Sequence, residues 1–162
     1  MITNSKSKSD FFISEINEQD RVLEYGSGES TIEISKLCKF ILSIEHNTNW
    51  YNKVKSVISD NINILLKEPN EQFIEGFADG SYDQFKNYIT SPLEHGPFDI
   101  ILIDGRARIE CAKFVKNVAH ENTIVFIHDF TSRLEIDNYK EVFNYLDLIE
   151  SVGDMSKFKI KK

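Results

Sequence analysis

The stretch RVLEYGSGES, from Arg21 to Ser30, carries the pattern from which the fold class can be predicted. A short apolar run is followed by two glycines, Gly26 and Gly28, with one residue between them. Glycine lets the backbone turn tightly and lets a ligand come close to the main chain. Ser30 and Thr31 follow, and both residue types are common where helices begin. The stretch therefore predicts a strand, a tight turn and a helix, which is where open α/β sheets bind ligands.

The rest of the chain alternates between apolar runs and segments with helical spacing. The further strand-like runs are FILSIEH (40–46), INILLKEP (62–69), FDIILIDG (98–105) and TIVFIHDF (123–130). The predicted helices are STIEISKLC (30–38), NWYNKVKSVIS (49–59), YDQFKNYI (82–89), RIECAKFVKNVA (108–119) and YKEVFNYL (139–146). In the second of these helices, Trp50, Val54, Val57 and Ile58 fall on one face.

The last segment, LIESVGDMSKFKIKK (148–162), predicts two antiparallel strands that turn at Gly153 and Asp154. Strands separated by helices indicate a parallel sheet with helices on both faces. The sequence therefore predicts an α/β fold with a Rossmann-like, doubly wound and mostly parallel sheet and a C-terminal antiparallel hairpin. Residues 1–10 are polar and are expected to form a flexible leader, and residues 11–162 a single domain.

The composition limits the class of partner. The 162 residues carry a net charge of −7, which argues against nucleic acid because a nucleic-acid binder needs a basic surface. No run of about 18 apolar residues is present, so we expect no membrane partner. Cys38 and Cys111 have no cysteine or histidine at metal-ligand spacing, which is typical of reduced thiols. These features predict a cytoplasmic protein.

Acidic residues at the ends of the first two strands indicate a nucleoside ligand. Glu24 precedes the glycine turn, and Glu45 ends the next strand about 20 residues later, where a carboxylate suits two ribose hydroxyls. The pyrophosphate fingerprint needs a third glycine where this chain has Thr31. Glu24 is also unfavourable beside a pyrophosphate, whereas it suits a cationic group such as the amino group of S-adenosylmethionine. A plain glycine turn without a ligand is the structural alternative.

From about Arg21 to Ile160, the chain resembles the class I S-adenosylmethionine-dependent methyltransferases. Glu24, Gly26 and Gly28 match the acidic-x-Gly-x-Gly motif of that family, although Ser30 replaces its frequent third glycine. The resemblance places Glu68 beside the adenine and Asp104 near the transferred methyl group. The cofactor-binding residues that it implies are Glu24, Tyr25, Gly26, Ser27, Gly28, Ser30, Thr31, Glu45, His46, Glu68 and Asp104.

A narrower resemblance concerns the acceptor. The segments LEYGSGEST, SIEHNTNWYNKV, FDIILIDGRARIECA and IVFIHDF look like a group containing the plant glucuronoxylan glucuronic-acid O-methyltransferases and related microbial glycan methyltransferases. DGRAR followed by CA is its most specific part. The resemblance implies methyl transfer to a hydroxyl of a sugar, a glycan or another small acceptor.

Three residues after the fourth and fifth strands are candidates for catalysis. Asp104 ends one strand, His128 and Asp129 end its neighbour, and such ends converge on one rim of a parallel sheet. An alcohol acceptor needs a general base or a metal ion. His128 is the candidate base and Asp129 can orient it. A structural histidine, a capping aspartate and a divalent metal held by Asp104 and Asp129, as in the catechol-type methyltransferases, remain alternatives.

The two arginines of DGRAR are candidates for binding an anionic acceptor. A guanidinium holds a carboxylate through a planar fork, so Arg106 is the candidate for a uronate group. A surface ion pair is the alternative for Arg106 and the favoured interpretation for Arg108.

Several functions fit the pattern. An O-methyltransferase is favoured, with a metal-dependent small-molecule O-methyltransferase as a variant. A nucleic-acid amino-methyltransferase would carry a proline-containing motif where this chain reads IDGRAR. A nicotinamide dehydrogenase is disfavoured by Thr31. A cofactor-binding module without its own catalysis, in a homo-oligomer or a larger assembly, is the further alternative.

Overall fold

The structure is a computed structural model that describes residues 7–76, 78–136 and 138–162. Within these ranges, strands β1 to β7 form one sheet with the order β3-β2-β1-β4-β5-β7-β6. β1 to β5 are parallel, β7 pairs with β5 in the antiparallel sense, and β6 forms the edge. The strands are β1 Arg21–Tyr25, β2 Phe40–Glu45, β3 Ile62–Leu66, β4 Phe98–Ile103, β5 Ala119–Ile127, β6 Leu146–Val152 and β7 Met155–Ile160.

Short helices join these strands. The α-helices are α1 Lys8–Ile13, α2 Glu29–Ser35, α3 Thr48–Lys55, α4 Tyr82–Thr90, α5 Arg108–Phe114 and α6 Phe130–Arg133. Three 3₁₀ turns cover Ser91–Glu94, Val115–Val118 and Tyr139–Asn144. Among the described residues, no helix has the length and apolarity needed to cross a bilayer. The predicted α/β class and the C-terminal antiparallel hairpin are confirmed.

Apolar side chains cover both faces of the sheet, because successive residues of a strand point to opposite sides. Leu23 and Leu42 pack in the cluster that includes α4 and α5, whereas Val22 and Ile41 pack in the cluster that includes α1 and α2. The central strands β1, β2 and β4 are therefore buried on both faces, which explains their nearly continuous apolar sequences.

The order of strands reverses at β1, which lies between β2 and β4. Main-chain hydrogen bonds continue beyond the strand ends, where the N–H of Asp104 donates to Tyr25 at 2.9 Å and that of His128 to Ile103 at 3.1 Å. The glycine turn, Asp104 and His128 therefore lie along one edge of the sheet, at the point where open α/β sheets bind ligands.

Several predicted boundaries differ from the structure, and two of them affect burial or the site. α3 ends at Lys55, so Val57 and Ile58 lie beyond it and are 62% and 39% exposed. Of the face predicted for this helix, only Val54 is buried, and Trp50 is 47% exposed. The fifth strand ends at Ile127 because Asp129 turns the chain through a left-handed conformation, with a φ of 56°, before α6 begins.

The expectation of a flexible leader over residues 1–10 is wrong from Lys8 onward, where α1 begins; residues 1–6 lie outside the described ranges. The side chain of Ser7 caps this helix by accepting a hydrogen bond from the N–H of Asp10. Phe11 and Phe12 are 2% and 4% exposed, and both meet the ring of Phe126 edge-on. α1 is therefore held against the sheet by aromatic packing.

Replacing Phe11 with alanine tests this anchoring. Phe11→Ala should lower the free energy of unfolding in urea by about 3 kcal/mol, the usual cost of removing a buried phenylalanine ring. The control Ile74→Ala, at a position 78% exposed, should change it by less than about 0.5 kcal/mol. An effect of Phe11→Ala as small as that of the control would mean that α1 is not anchored.

Candidate active site

The carboxyl ends of the central strands border a cavity of about 520 Å³, within the range of small-molecule sites. Its wall combines the turn after β1, the end of β2 and the segment that joins β4 to α5. The lining residues are Gly26, Ser27, Gly28, Glu29, Ser30, Glu45, His46, Trp50, Asp104, Gly105, Arg106, Arg108 and Arg133. We call this the large cavity.

Most of the predicted cofactor residues line the large cavity, and four do not. Tyr25 is fully buried and its hydroxyl donates to the carbonyl of Ile89 at 2.7 Å. Glu24 and Thr31 are buried beneath the turn. Glu68 lies in a neighbouring cavity of about 260 Å³ that His46 also lines. For these four residues the structure shows no direct access to the large cavity.

The turn after β1 needs glycine at its first position. Gly26 has a φ of +96°, a conformation that other residues rarely adopt. A Cβ atom there would lie 2.8 Å from the Cα of Gly105, so the turn and the segment after β4 touch through their main chains. A Cβ at Gly28 would meet no atom within 4 Å. Gly28 therefore leaves part of the cavity wall open.

Glu24 does not face the ligand side, contrary to our expectation that it binds a cationic group. Its carboxylate accepts hydrogen bonds from the hydroxyls of Ser30, Thr31 and Ser43. Complete burial raises its pKa to about 7, although the three hydroxyls act in the opposite direction. Glu24 instead ties the start of α2 to β2 beneath the glycine turn.

Glu45 is a carboxylate of the large cavity that hydrogen bonds keep ionised. Its Oε2 accepts from the N–H and the hydroxyl of Ser27 at 2.9 and 2.6 Å, and its Oε1 accepts from the N–H groups of His46 and Asn47. Burial opposes ionisation, but hydrogen bonds from His46 and Ser27 lower the pKa of Glu45 below its usual value. The carboxylate is fixed in place and accepts a hydrogen bond from a hydroxyl, that of Ser27. Hydroxyls are the groups that a diol ligand such as ribose presents.

A loop carboxylate that the sequence did not point to contacts two residues that line the large cavity. Glu75 contacts His46 Nε2 at 2.7 Å and pairs with the guanidinium of Arg106. Arg106 also lies over the ring of Phe73. Arg106 therefore has a carboxylate partner within the chain, and nothing in this arrangement supports its predicted role in binding a uronate. No local pattern in the sequence joins Glu75 to Arg106.

His128 lies next to Asp104, which lines the large cavity, and Asp104 orients it. His128 Nδ1 is 2.8 Å from Asp104 Oδ1 and 3.5 Å from Asp129 Oδ1. Lys8 Nζ is 3.1 Å from Nε2, and an ammonium can only donate, so Nδ1 carries the proton and donates it to Asp104. The bond to Asp104 raises the pKa of His128, although burial opposes this. The predicted orienting role of Asp129 therefore belongs to Asp104.

Arg108 is buried at the centre of the site, contrary to its expected role in a surface ion pair. It is 5% exposed, and its Nη1 contacts Asp129 at 3.2 Å and donates to the main-chain carbonyl of His128. Its Nη2 lies 3.8 Å from Asp104, and the main-chain N–H of Arg108 donates to the carboxylate of Asp79 at 2.7 Å. Arg108 therefore holds Asp104, Asp129 and the main chain of His128 in place.

The structure brings together the residues considered for a metal ion. Ligand atoms of Asp104, His128 and Asp129 lie within 4.8 Å of one another. However, the guanidinium of Arg108 already pairs with both aspartates and the ammonium of Lys8 contacts the histidine. Because two protein cations occupy these groups, the geometry does not favour a metal ion.

Comparisons with known proteins place the fold. No protein-family model and no curated protein matches the chain. Solved structures that do match include a methyltransferase-like protein from Silicibacter pomeroyi DSS-3, with a TM-score of 0.79 and 20% identity over 99% of this chain and 88% of that one. A TehB-like SAM-dependent methyltransferase from Corynebacterium glutamicum has a TM-score of 0.62 and 13% identity, and covers 98% of this chain and 90% of that one.

A third similar structure is the MycE methyltransferase from the mycinamycin biosynthetic pathway, solved with Mg, SAH and mycinamycin VI. Its TM-score is 0.61 and its identity 13%, over 94% of this chain and 48% of that one. At identities this low, the comparisons show the fold. The chain has the Rossmann-like fold of the class I methyltransferases.

The burial of Glu24 predicts how stability depends on pH. The pKa of Glu24 in the folded protein, about 7, lies above the ordinary value of 4.5. Its protonated carboxyl therefore contributes fully to stability below pH 4.5, and this contribution is lost as the pH rises through about 7. Glu24→Gln removes this loss. Its free energy of unfolding, relative to wild type, should increase by about 3 kcal/mol between about pH 4 and about pH 8.

Urea unfolding at both pH values measures this difference. Glu150→Gln, at an exposed position on β6, serves as the control for losing one carboxylate. A pH-independent effect of Glu24→Gln would contradict the desolvated carboxyl described above.

Proposed function

We propose that the protein is an S-adenosylmethionine-dependent methyltransferase that acts on a hydroxyl of a small acceptor. The observation that carries the proposal is one arrangement at one edge of the sheet. The large cavity contains the ionised Glu45 and is also lined by Asp104. The same Asp104 forms a hydrogen-bonded pair with His128. A nucleoside site and a histidine suited to take up a proton therefore adjoin each other.

The residues of the large cavity fit the cofactor. The Gly26–Gly28 turn leaves main chain exposed to a ligand, and Glu45 offers a carboxylate to ribose hydroxyls. The half-exposed indole of Trp50 provides a flat surface for a purine.

The chemistry on the protein side is the removal of one proton. When bound, S-adenosylmethionine supplies an electrophilic methyl group, so the acceptor gains an O–C bond while the cofactor loses its S–C bond. The Nε2 atom of His128 takes the hydroxyl proton, and Asp104 stabilises the imidazolium that results. Arg108 keeps Asp104 and the main chain of His128 in place. The proton then leaves to solvent.

The nature of the acceptor is constrained in part. A glycan or uronate acceptor stays a prediction from resemblance, because its candidate residue, Arg106, is paired with Glu75. A hydroxyl acceptor is supported by the presence of an oriented histidine, which an already nucleophilic amine would need less.

Glu45→Ala tests the cofactor assignment. Removing the carboxylate should weaken the binding of S-adenosylmethionine by about 1.5–3 kcal/mol, the usual worth of charge-assisted hydrogen bonds, which is about ten- to a hundredfold in Kd. Isothermal titration calorimetry measures it, with Glu150→Ala on β6 as the control. Unchanged affinity in a folded Glu45→Ala protein would remove the nucleoside assignment.

His128→Ala tests the base. With any phenol, alcohol or sugar that the wild type methylates, kcat should fall by roughly 10²–10⁴, the usual contribution of a general base. The Kd for S-adenosylmethionine should not change, because His128 is outside the residues that line the large cavity.

The chain offers a matched control for this variant. His120, near the start of β5, is paired with Asp99 at 2.8 Å, the same distance as between His128 and Asp104. Because β4 and β5 are parallel, this second pair lies at the opposite edge of the sheet. His120→Ala should leave kcat unchanged, and an equal loss in both variants would indicate a structural effect.

A further inference from the structure

A second, smaller cavity lies beneath α1. Its volume is about 150 Å³, and we call it the small cavity. Its apolar walls come from α1, α2, β4 and β7, and they are formed by Phe12, Ile13, Ile34, Leu102 and Met155. Exposed side chains from α1 and α2, Lys8, Ser9 and Glu33, form its outer rim.

The two cavities meet at the candidate catalytic residues. Asp104 and His128 form the polar end of the small cavity, and Ser30 and Asp104 line both cavities. A molecule in the small cavity would therefore face a ligand of the large cavity across Asp104. The lone pair of His128 Nε2 accepts a hydrogen bond from Lys8. A hydroxyl that displaces the lysine can donate to the same nitrogen.

The size and lining of the small cavity select the acceptor. A cavity of about 150 Å³ with aliphatic and aromatic walls accommodates one benzene-sized ring. A sugar ring carries hydroxyls on every side, and burying these against apolar walls without hydrogen bonds is unfavourable. The thioether of Met155 and the ring of Phe12 both make favourable contacts with aromatic rings.

We infer that the small cavity is the acceptor site and that the acceptor is a phenol, with its ring between α1 and α2 and its hydroxyl at Nε2 of His128. The inference rests on the proposed methyl transfer and names the acceptor class for it. Its step on the protein side is the passage of the phenolic proton to Nε2, from which it leaves to solvent.

The charges that face the hydroxyl suit a phenol. They are Lys8 from α1, Glu33 from α2, Asp104 after β4 and His128 after β5. A phenol has a pKa near 10, as tyrosine does, far below that of water. A histidine can therefore remove its proton when a cation stabilises the oxygen anion, and the ammonium of Lys8 supplies that cation.

Filling the small cavity tests the inference without cofactor. Phenol binding, followed by ligand-observed NMR, should weaken at least tenfold in Met155→Trp, because this buried side chain points into the cavity. Ile13→Trp, on the other wall, should act in the same direction. Leu148→Trp, half-exposed on β6, is the matched control and should bind phenol as wild type does. Thermal unfolding of each variant verifies its fold.

Lys8→Met gives a second readout. The absorption of 4-nitrophenol reports whether the bound molecule is ionised. At a fixed pH, the nitrophenol bound to wild type should be ionised to a greater extent than that bound to Lys8→Met. An equal extent of ionisation would overturn the role given to Lys8.

The two proposals fail in different ways. No binding of phenol to wild type, or binding that neither filled variant weakens, overturns the acceptor site even if S-adenosylmethionine binds. Loss of phenol binding in a filled variant that retains wild-type affinity for S-adenosylmethionine supports two adjoining sites. Phenol binding to a chain that does not bind S-adenosylmethionine overturns the proposed function and, with it, the acceptor role of the cavity.

Discussion

The close approach of two main-chain segments governs this edge of the sheet. Gly26 after β1 and Gly105 after β4 touch without side chains between them, and a Cβ on either would collide with its surroundings. This contact brings the glycine turn beside Asp104, so that both cavities share one carboxylate as a common wall. A side chain at Gly26 would force the two segments apart.

The carboxylates of the site differ in their neighbours, and this determines their charge. Complete burial raises the pKa of Glu24 to about 7, and the hydroxyls bonded to it offset this only in part. Glu45 accepts main-chain N–H groups, and its pKa is lowered. Asp129 lies beside His128 and Arg108, whose charges lower its pKa against the effect of burial. Glu24 beneath the site is therefore about half protonated near pH 7, while Glu45 and Asp129 remain ionised.

The sequence was sufficient to predict the features that depend on local pattern. The glycine turn, the parallel strands, the terminal hairpin and the convergence of Asp104 with His128 follow from spacing and strand order. The errors concern partners that are distant along the chain. Ser43 binds Glu24 from the neighbouring strand, and Asp79 reaches Arg108 from a loop, neither of which leaves a local pattern. The sequence does not indicate that α1 is anchored, because its two buried phenylalanines directly follow a polar stretch.

The packing of α1 on Phe126 has a consequence for how this site tolerates change. His128, two residues after Phe126 and just beyond the end of β5, lines the small cavity together with Phe12 and Ile34, which pack in the same cluster as Phe126. Phe126, on which α1 packs, and His128, which lies beneath α1, are therefore on the same side of the sheet. Inserting one residue before Phe126 would shift both together, whereas inserting one between them would turn the imidazole towards the opposite face and leave the helix covering a site without its base.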